Sequence, residues 1–370
     1  MGRAGGCGGR RTPARQRVGR AHTRGELELR ERTALAVVSV GVPTDNRLRF
    51  GLTPWEGAAD GGGPPAHFIG QVELAERLGF HSFWLPESHF VAQSYPAPLL
   101  LLAAAAVRTR CLRLGTTSYL LPVRHPLHVA EEVGVLDQLS GGRVILGVGR
   151  GFRRTLFEAF DVPPSEKRDR FEAALEVILR AWRGEPVIGD PDGESASGRP
   201  PVRVTPPPQQ QPHPPIWVAA FGPKALAQAG RLNLPYLASP LEPLAQLVEN
   251  YALHREALPR DARDVALPVP VIRTLFVSHD QSCLERVRTA LEEQAQALSQ
   301  QATGVLRRAG DAALDEWALV GEPEELVDGI ERYREAIGLT HLIARVQVPG
   351  ATPDELTRSV HLLAELAGRL

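Results

Sequence analysis

Four short stretches hold residues able to do chemistry. Glu87-Ser88-His89 sets a carboxylate, a hydroxyl and an imidazole side by side, and an imidazole titrating near neutrality can take or give a proton. Gly147-Val148-Gly149-Arg150-Gly151 is dense in glycine, which lets backbone approach a ligand closely, with the Arg150 cation beside it. Phe221-Gly222-Pro223-Lys224-Ala225 has the pattern of a helix start, where unpaired N–H groups favour an anion and proline is preorganised for the first turn. Gly115-Thr116-Thr117-Ser118 offers small side chains that leave room for a flat ligand. Each stretch also has a plain reading: a satisfied structural histidine, a tight glycine turn, an ordinary strand-to-helix turn, a Thr/Ser-rich strand. If the fold brings Arg150 and the 221–225 turn to one rim, they make a phosphate clamp.

Several other chemistries lack their residues. The glycine run is G-x-G-x-G, not the dinucleotide fingerprint G-x-G-x-x-G, and no G-x-S-x-G elbow is present. H-E-x-x-H is absent and the eleven histidines do not cluster at ligand spacing, so no metal is expected. Cys7, Cys111 and Cys283 are too few and too far apart for a disulfide framework, which predicts a reducing, cytoplasmic setting. The longest apolar run, residues 98–107, falls short of the ~20 residues that span a bilayer, so no membrane is expected as a partner.

The 370 residues are 43% hydrophobic and 23% charged, the composition of a globular chain rather than a collagen, coiled coil or disordered polymer. A net charge of -1 provides no overall basic field for nucleic acid. The balance hides a basic head: residues 1–32 carry nine arginines against three glutamates. Without apolar periodicity, residues 1–46 read as a disordered N-terminal extension, and 47–370 as the folded domain.

Beyond residue 47, short apolar strands alternate with amphipathic helices, the pattern of βαβ units around a parallel sheet. Strands are predicted at 48–53, 82–85, 111–121, 143–147, 216–221, 236–238, 269–277 and 341–348. The helix holding Phe171, Ala174, Leu175, Ile178, Leu179 and Trp182 shows the clearest helical spacing. Residues 184–215, rich in proline and glycine, and residues 300–318 interrupt the alternation, and 184–215 and 300–317 are expected to cover the barrel mouth. Eight strands with following helices predict an α/β fold of the (β/α)8 TIM-barrel type with insertions, whose chemistry sits where strands end. Glu87, His89, Thr117, Ser118, Gly149, Arg150 and the 221–225 turn all fall at such ends.

Taken in order, LRFGLTP, ERLGFHSFWLPESHF, LRLGTTSYLLPVRHPLHVAEEVGVLDQLSGGRVILGVGRGF, PPPQQQPHPPIWVAAFGPKALAQAG and VGEPEELVDGIERYREAIG resemble the bacterial-luciferase-like flavin-dependent oxidoreductases. The resemblance covers residue 48 to the end and implies a barrel that binds reduced FMN, or in some subfamilies a deazaflavin coenzyme, at its C-terminal mouth. It places Arg150 at the flavin phosphate, with Arg170 as a second candidate. Gly149, Phe221, Gly222 and Ala225 join the cofactor site, and Lys224 would compensate for Ala225 where the family commonly has a hydroxyl. Thr117-Ser118 matches the position of a non-proline cis peptide beneath the flavin ring.

The family commonly reads E-H-H-F where this chain has Glu87-Ser88-His89-Phe90, so a proton would come from His89, Glu87 or water. The activity implied is a monooxygenase using reduced FMN and dioxygen on a small organic substrate, with a separate flavin reductase and a homodimeric assembly. Deazaflavin-dependent hydride transfer and a catalytically silent flavin-binding protein are the alternatives.

Overall fold

Hydrogen bonds close the parallel sheet into a ring. The computed structural model describes residues 47–55, 65–91, 94–188, 200–301 and 312–370, all within the unit Val37–Leu370. The N-terminal extension, Glu56, the glycine-rich 60–64 segment and residues 302–311 lie outside the described residues.

The strands are β1 (Arg49–Leu52), β2 (Ser82–Leu85), β3 (Arg113–Thr116), β4 (Tyr119–Leu120), β5 (Val144–Gly149), β6 (Ile216–Ala219), β7 (Tyr236–Leu237), β8 (Pro270–Val277), β9 (Ala318–Gly321) and β10 (His341–Arg345). The helices are α1 (Pro65–Arg77), α2 (Pro98–Arg108), α3 (Pro126–Ser140), α4 (Arg154–Ala159), α5 (Lys167–Trp182), α6 (Pro223–Arg231), α7 (Leu244–Glu256), α8 (Gln281–Gln301), α9 (Leu314–Trp317), α10 (Pro323–Ile337) and α11 (Pro353–Arg369). The sheet runs β7-β6-β5-β3-β2-β1-β10-β8-β9, every pair parallel. Ala238 N–H donates to Pro270 O and Ala238 O accepts from Ile272 N–H, both at 3.1 Å, which joins the end of β7 to β8. Eight strands therefore form the ring, and β9 lies beside the C-terminal half of β8, with Thr274 opposite Ala318.

The ring is filled by its own side chains. Trp84, Ile145, Trp217, Leu237, Ile272 and Ile343 form one buried cluster, and the two indoles stack at 4.9 Å between centroids. Glycine makes this packing possible, because a Cβ at Gly51 or Gly115 would overlap the Trp84 side chain. At the N-terminal end, the His341 ring stands edge-on to Trp217 and His81.

Two expectations about the elements change. The strand expected at 111–121 divides into β3 and β4 around a cis Thr117–Ser118 peptide bond. Gly115 pairs with Ile145 but Tyr119 with Val148, so one extra residue is taken up at the break, as in a β-bulge. Residues 200–215 do not reach the mouth. Gln210 donates to both Asp137 carboxylate oxygens at 2.8 Å and to Val144 O at 2.9 Å, and accepts from Arg113. Val144 and Arg113 begin their strands, so this segment is pinned beneath the barrel by a glutamine among prolines, and Pro215 O accepts from Leu146 N–H. α4, which follows the glycine run directly, was also not expected.

Candidate active site

Alternation along the strands decides which side chains face the mouth. Ile343 and Ile272 belong to the interior cluster, so Arg345 and Thr274, two residues later and paired with each other, face inward one layer higher. Gly51 faces Trp84, so Thr53 follows on the same side, its N–H bonded to Ala344 O at 3.0 Å. On the opposite wall the matching positions are Gly147 and Ala219, two residues beyond Ile145 and Trp217. One side of the mouth is polar and the other is made of small residues.

Arg150 leaves the end of β5 on the small-residue side. Its Nη1 donates to Gln228 Oε1 at 3.0 Å, and Gln228 Nε2 donates to Glu172 at 2.7 Å. Because Gln228 belongs to α6, the helix opened by the Gly222-Pro223 turn, Arg150 and that turn share one rim. Arg150 Nη2 is buried without a hydrogen-bond partner. Burial first, then the neighbouring Arg168 charge, lowers the Arg150 pKa to about 10. Lys167 is pulled down by burial and by Arg150 and Arg168. Among the described residues no carboxylate forms an ion pair with Arg150, Lys167 or Arg168, which leaves a local excess of positive charge. Gly222, with φ 77° and ψ 166°, has open space where a Cβ would stand. Lys224 and Phe221 are exposed on the same turn and Ala225 is buried beneath it.

Arg170 does not join this group. Its Nε pairs with Glu166 at 2.8 Å on the exposed face of α5, one helical turn away along the same helix. Lys167 and Arg168, one turn earlier, supply the charge instead. In the sequence the three cations are equivalent; Arg170 is set apart by its ion pair with Glu166.

Ser118 Oγ packs so tightly on the end of β5 that a Cβ at Gly149 would overlap it. Thr116 Oγ1 donates to Gly147 O at 2.7 Å, and the Thr117–Ser118 cis bond follows at the rim, with both residues partly exposed.

The second cluster is built on Glu87, whose side chain is fully buried. Its Oε1 contacts His89 Nε2 at 2.7 Å and accepts from Arg124 Nη2 at 2.9 Å, while Oε2 accepts from Leu120 N–H at 2.9 Å. Both oxygens are committed, so Glu87 is not the free acid or base expected from the sequence. Arg124, which sequence reasoning passed over, stacks 4.1 Å over the Tyr119 ring. The Tyr119 hydroxyl donates to Glu132 at 3.0 Å, and its pKa is pushed far upward, mainly by burial. Ser88 is occupied elsewhere: Oγ accepts from Tyr95 N–H at 2.9 Å. His89 lies edge-on to Phe160, and Phe90 beside it is exposed.

Among the described residues, no group of three or more His, Cys, Asp or Glu is arranged to hold a metal ion, and no helix is long and apolar enough to cross a membrane.

A model of the luciferase-like monooxygenase family matches residues 48–341. The chain belongs to that family. Among solved structures, monooxygenase RslO1 from Streptomyces bottropensis superposes with a TM-score of 0.72 at 30% identity, over 86% of this chain and 98% of that one. The F420-dependent glucose-6-phosphate dehydrogenase of Beutenbergia cavernae is 30% identical over 75% of this chain and 87% of its own length. The oxygenase component of the flavin-dependent trigonelline monooxygenase of Acinetobacter baylyi is 29% identical over 56% of this chain and 57% of its own. The chain spans between about a third and two thirds of the length of the first five curated relatives it matches. The luciferase-like family thus includes both flavin-dependent monooxygenases and F420-dependent oxidoreductases.

Proposed function

We propose that this luciferase-like chain is the oxygenase of a two-component monooxygenase that uses reduced FMN and dioxygen on a small organic substrate. The observation that carries the reading is the buried, unpartnered Nη2 of Arg150, set among Lys167 and Arg168 beside the α6 N-terminus. A guanidinium out of water without an anion is costly, and a phosphate monoester meets that need with charge-assisted hydrogen bonds. Of the first-turn amides of α6, Ala225 and Leu226 already donate to Gly222 O, and the Lys224 N–H adds a donor of the same sign.

The phosphate would be held there, and the small Ala219 side chain would leave space for the ring near Thr117 and Ser118. When bound and reduced, FMN supplies the electrons for activating dioxygen. The protein's own part is to bind, orient and move a proton. Glu87 fixes the His89 ring: an Nε2–H donated to the carboxylate leaves Nδ1 as the atom that takes a proton. Glu87 is then a positioning residue and His89 the catalytic one.

A reduced deazaflavin transferring hydride is the second reading, favoured by the long match to the F420-dependent dehydrogenase. The exposed Phe152 and Phe221, which adjoin the two phosphate-binding elements in sequence, favour a coenzyme whose only anionic group is one phosphate. Anaerobic titration with photoreduced FMN and with reduced F420, followed by admission of oxygen, separates the two. FMN binding with oxygen consumption on a substrate panel supports the proposal. Binding of F420 alone, with no oxygen taken up, overturns it.

A further inference from the structure

The ring order places β10 four strands from β5 in either direction, so Arg345 stands diametrically across the mouth from Arg150. Whatever Arg345 serves, it is not the anion held at β5 and α6. Its Nε is buried without a partner, and no hydrogen bond or ion pair engages the side chain among the described residues. Burial is the sole cause lowering its pKa. The side chain is nevertheless partly exposed, so the guanidinium is open toward the mouth.

Two further polar groups at the same level lack partners. Thr274 Oγ1 and Thr53 Oγ1 are both buried and unbonded, on β8 and at the end of β1, the strands flanking β10. Buried polar groups in folded proteins nearly always find a partner. Three on adjacent strands, at one level, facing one space, describe a site whose partner arrives from outside. Its donors are a planar guanidinium fork and two hydroxyls, a set that matches the two oxygens of a carboxylate. Beneath them Ile272, Ile343 and the Trp84 indole close the barrel interior, so the carboxylate would rest on an apolar floor with the rest of the ligand above it.

We propose that Arg345, with the hydroxyls of Thr53 and Thr274, recognises a carboxylate on the organic substrate, and so selects anionic over neutral molecules. The inference rests on reading this mouth as the reaction site. Its test needs neither turnover nor flavin.

Calorimetric titration of the full-length protein with benzoate and octanoate, against benzamide and octanamide, reads the preference directly. Each carboxylate is expected to bind at least tenfold more tightly than its amide. Arg345→Gln should abolish the difference and leave the amides unchanged, and Arg345→Lys should retain part of it. Because no described residue is bonded to this cation, Arg345→Gln should not lower the thermal midpoint. The proposal is overturned if carboxylates bind no better than amides, or if Arg345→Gln weakens both classes equally. A substantial drop in melting temperature would assign Arg345 to structure instead. Weaker FMN binding in Arg345→Gln with the carboxylate preference intact would give the guanidinium to the flavin ring. If the wild type ignores FMN yet still prefers carboxylates, the cofactor reading fails and this site stands.

Discussion

Arg150 donates one guanidinium nitrogen to Gln228 at 3.0 Å and leaves the other buried and unbonded. The contact spans 78 positions of sequence and ties the end of β5 to the helix after β6. Gln228 holds the guanidinium in place without neutralising it, so the charge remains available to a ligand.

Replacing Arg150 by methionine is therefore expected to weaken FMN binding by roughly 10- to 100-fold, the worth of one or two charge-assisted hydrogen bonds. Riboflavin, which lacks the phosphate, should bind both proteins alike. Fluorescence quenching of each flavin measures both.

The Glu87 cluster separates position from chemistry. Glu87→Ala strips Arg124 and Leu120 N–H of their acceptor and should destabilise the fold by about 3 kcal/mol, as expected when one partner of a buried pair is removed. His89→Ala leaves that acceptor intact and should cost little stability while lowering turnover at least tenfold. Urea denaturation and steady-state rates distinguish them.

The barrel interior makes a sharper prediction about glycine. Gly115→Ala would drive a methyl into the Trp84 ring, which is stacked on Trp217 and cannot yield, and is expected to destabilise by about 2 kcal/mol or more. Gly70, exposed on α1 with open space around it, provides the contrast: Gly70→Ala should stabilise by about 0.5–1 kcal/mol. Denaturant titrations followed by tryptophan fluorescence test both.

His341 predicts a pH dependence. Burial, then the His81, Arg49 and Arg113 charges, lowers its pKa to about 3. In the unfolded chain the imidazole titrates near 6.5, so below that pH the unfolded state binds a proton that the folded state does not. Stability is complete above pH 6.5 and falls as the pH drops toward 3, by of order 4 kcal/mol from this residue. Exchange to His341→Phe should flatten stability measured across that window.

Much of this architecture was legible in the chain. Apolar runs ending at proline or glycine located all eight ring strands to within a few residues, because strands buried on both faces are continuous and apolar. β9 escaped notice because Ala318–Gly321 is short and lies in a stretch without alternation. The break at Thr117–Ser118 came from family resemblance, since no periodicity encodes a one-residue slip. Local motif reasoning found Arg150, Gly222 and His89, whose neighbours are glycine, proline and acid. It passed over Lys167, Arg168 and Arg124, which reach their sites through helix phase or tertiary approach. Arg345 had one available signal: an arginine at the inward phase of an otherwise apolar strand.

Whether the Arg150 rim binds the phosphate of a flavin mononucleotide is read from the affinity of the intact protein for FMN relative to riboflavin, with inorganic phosphate as competitor. FMN is expected to bind at least tenfold more tightly, an advantage that phosphate erodes and Arg150→Met removes. Equal affinities, or an FMN advantage indifferent to both phosphate and Arg150, would contradict it.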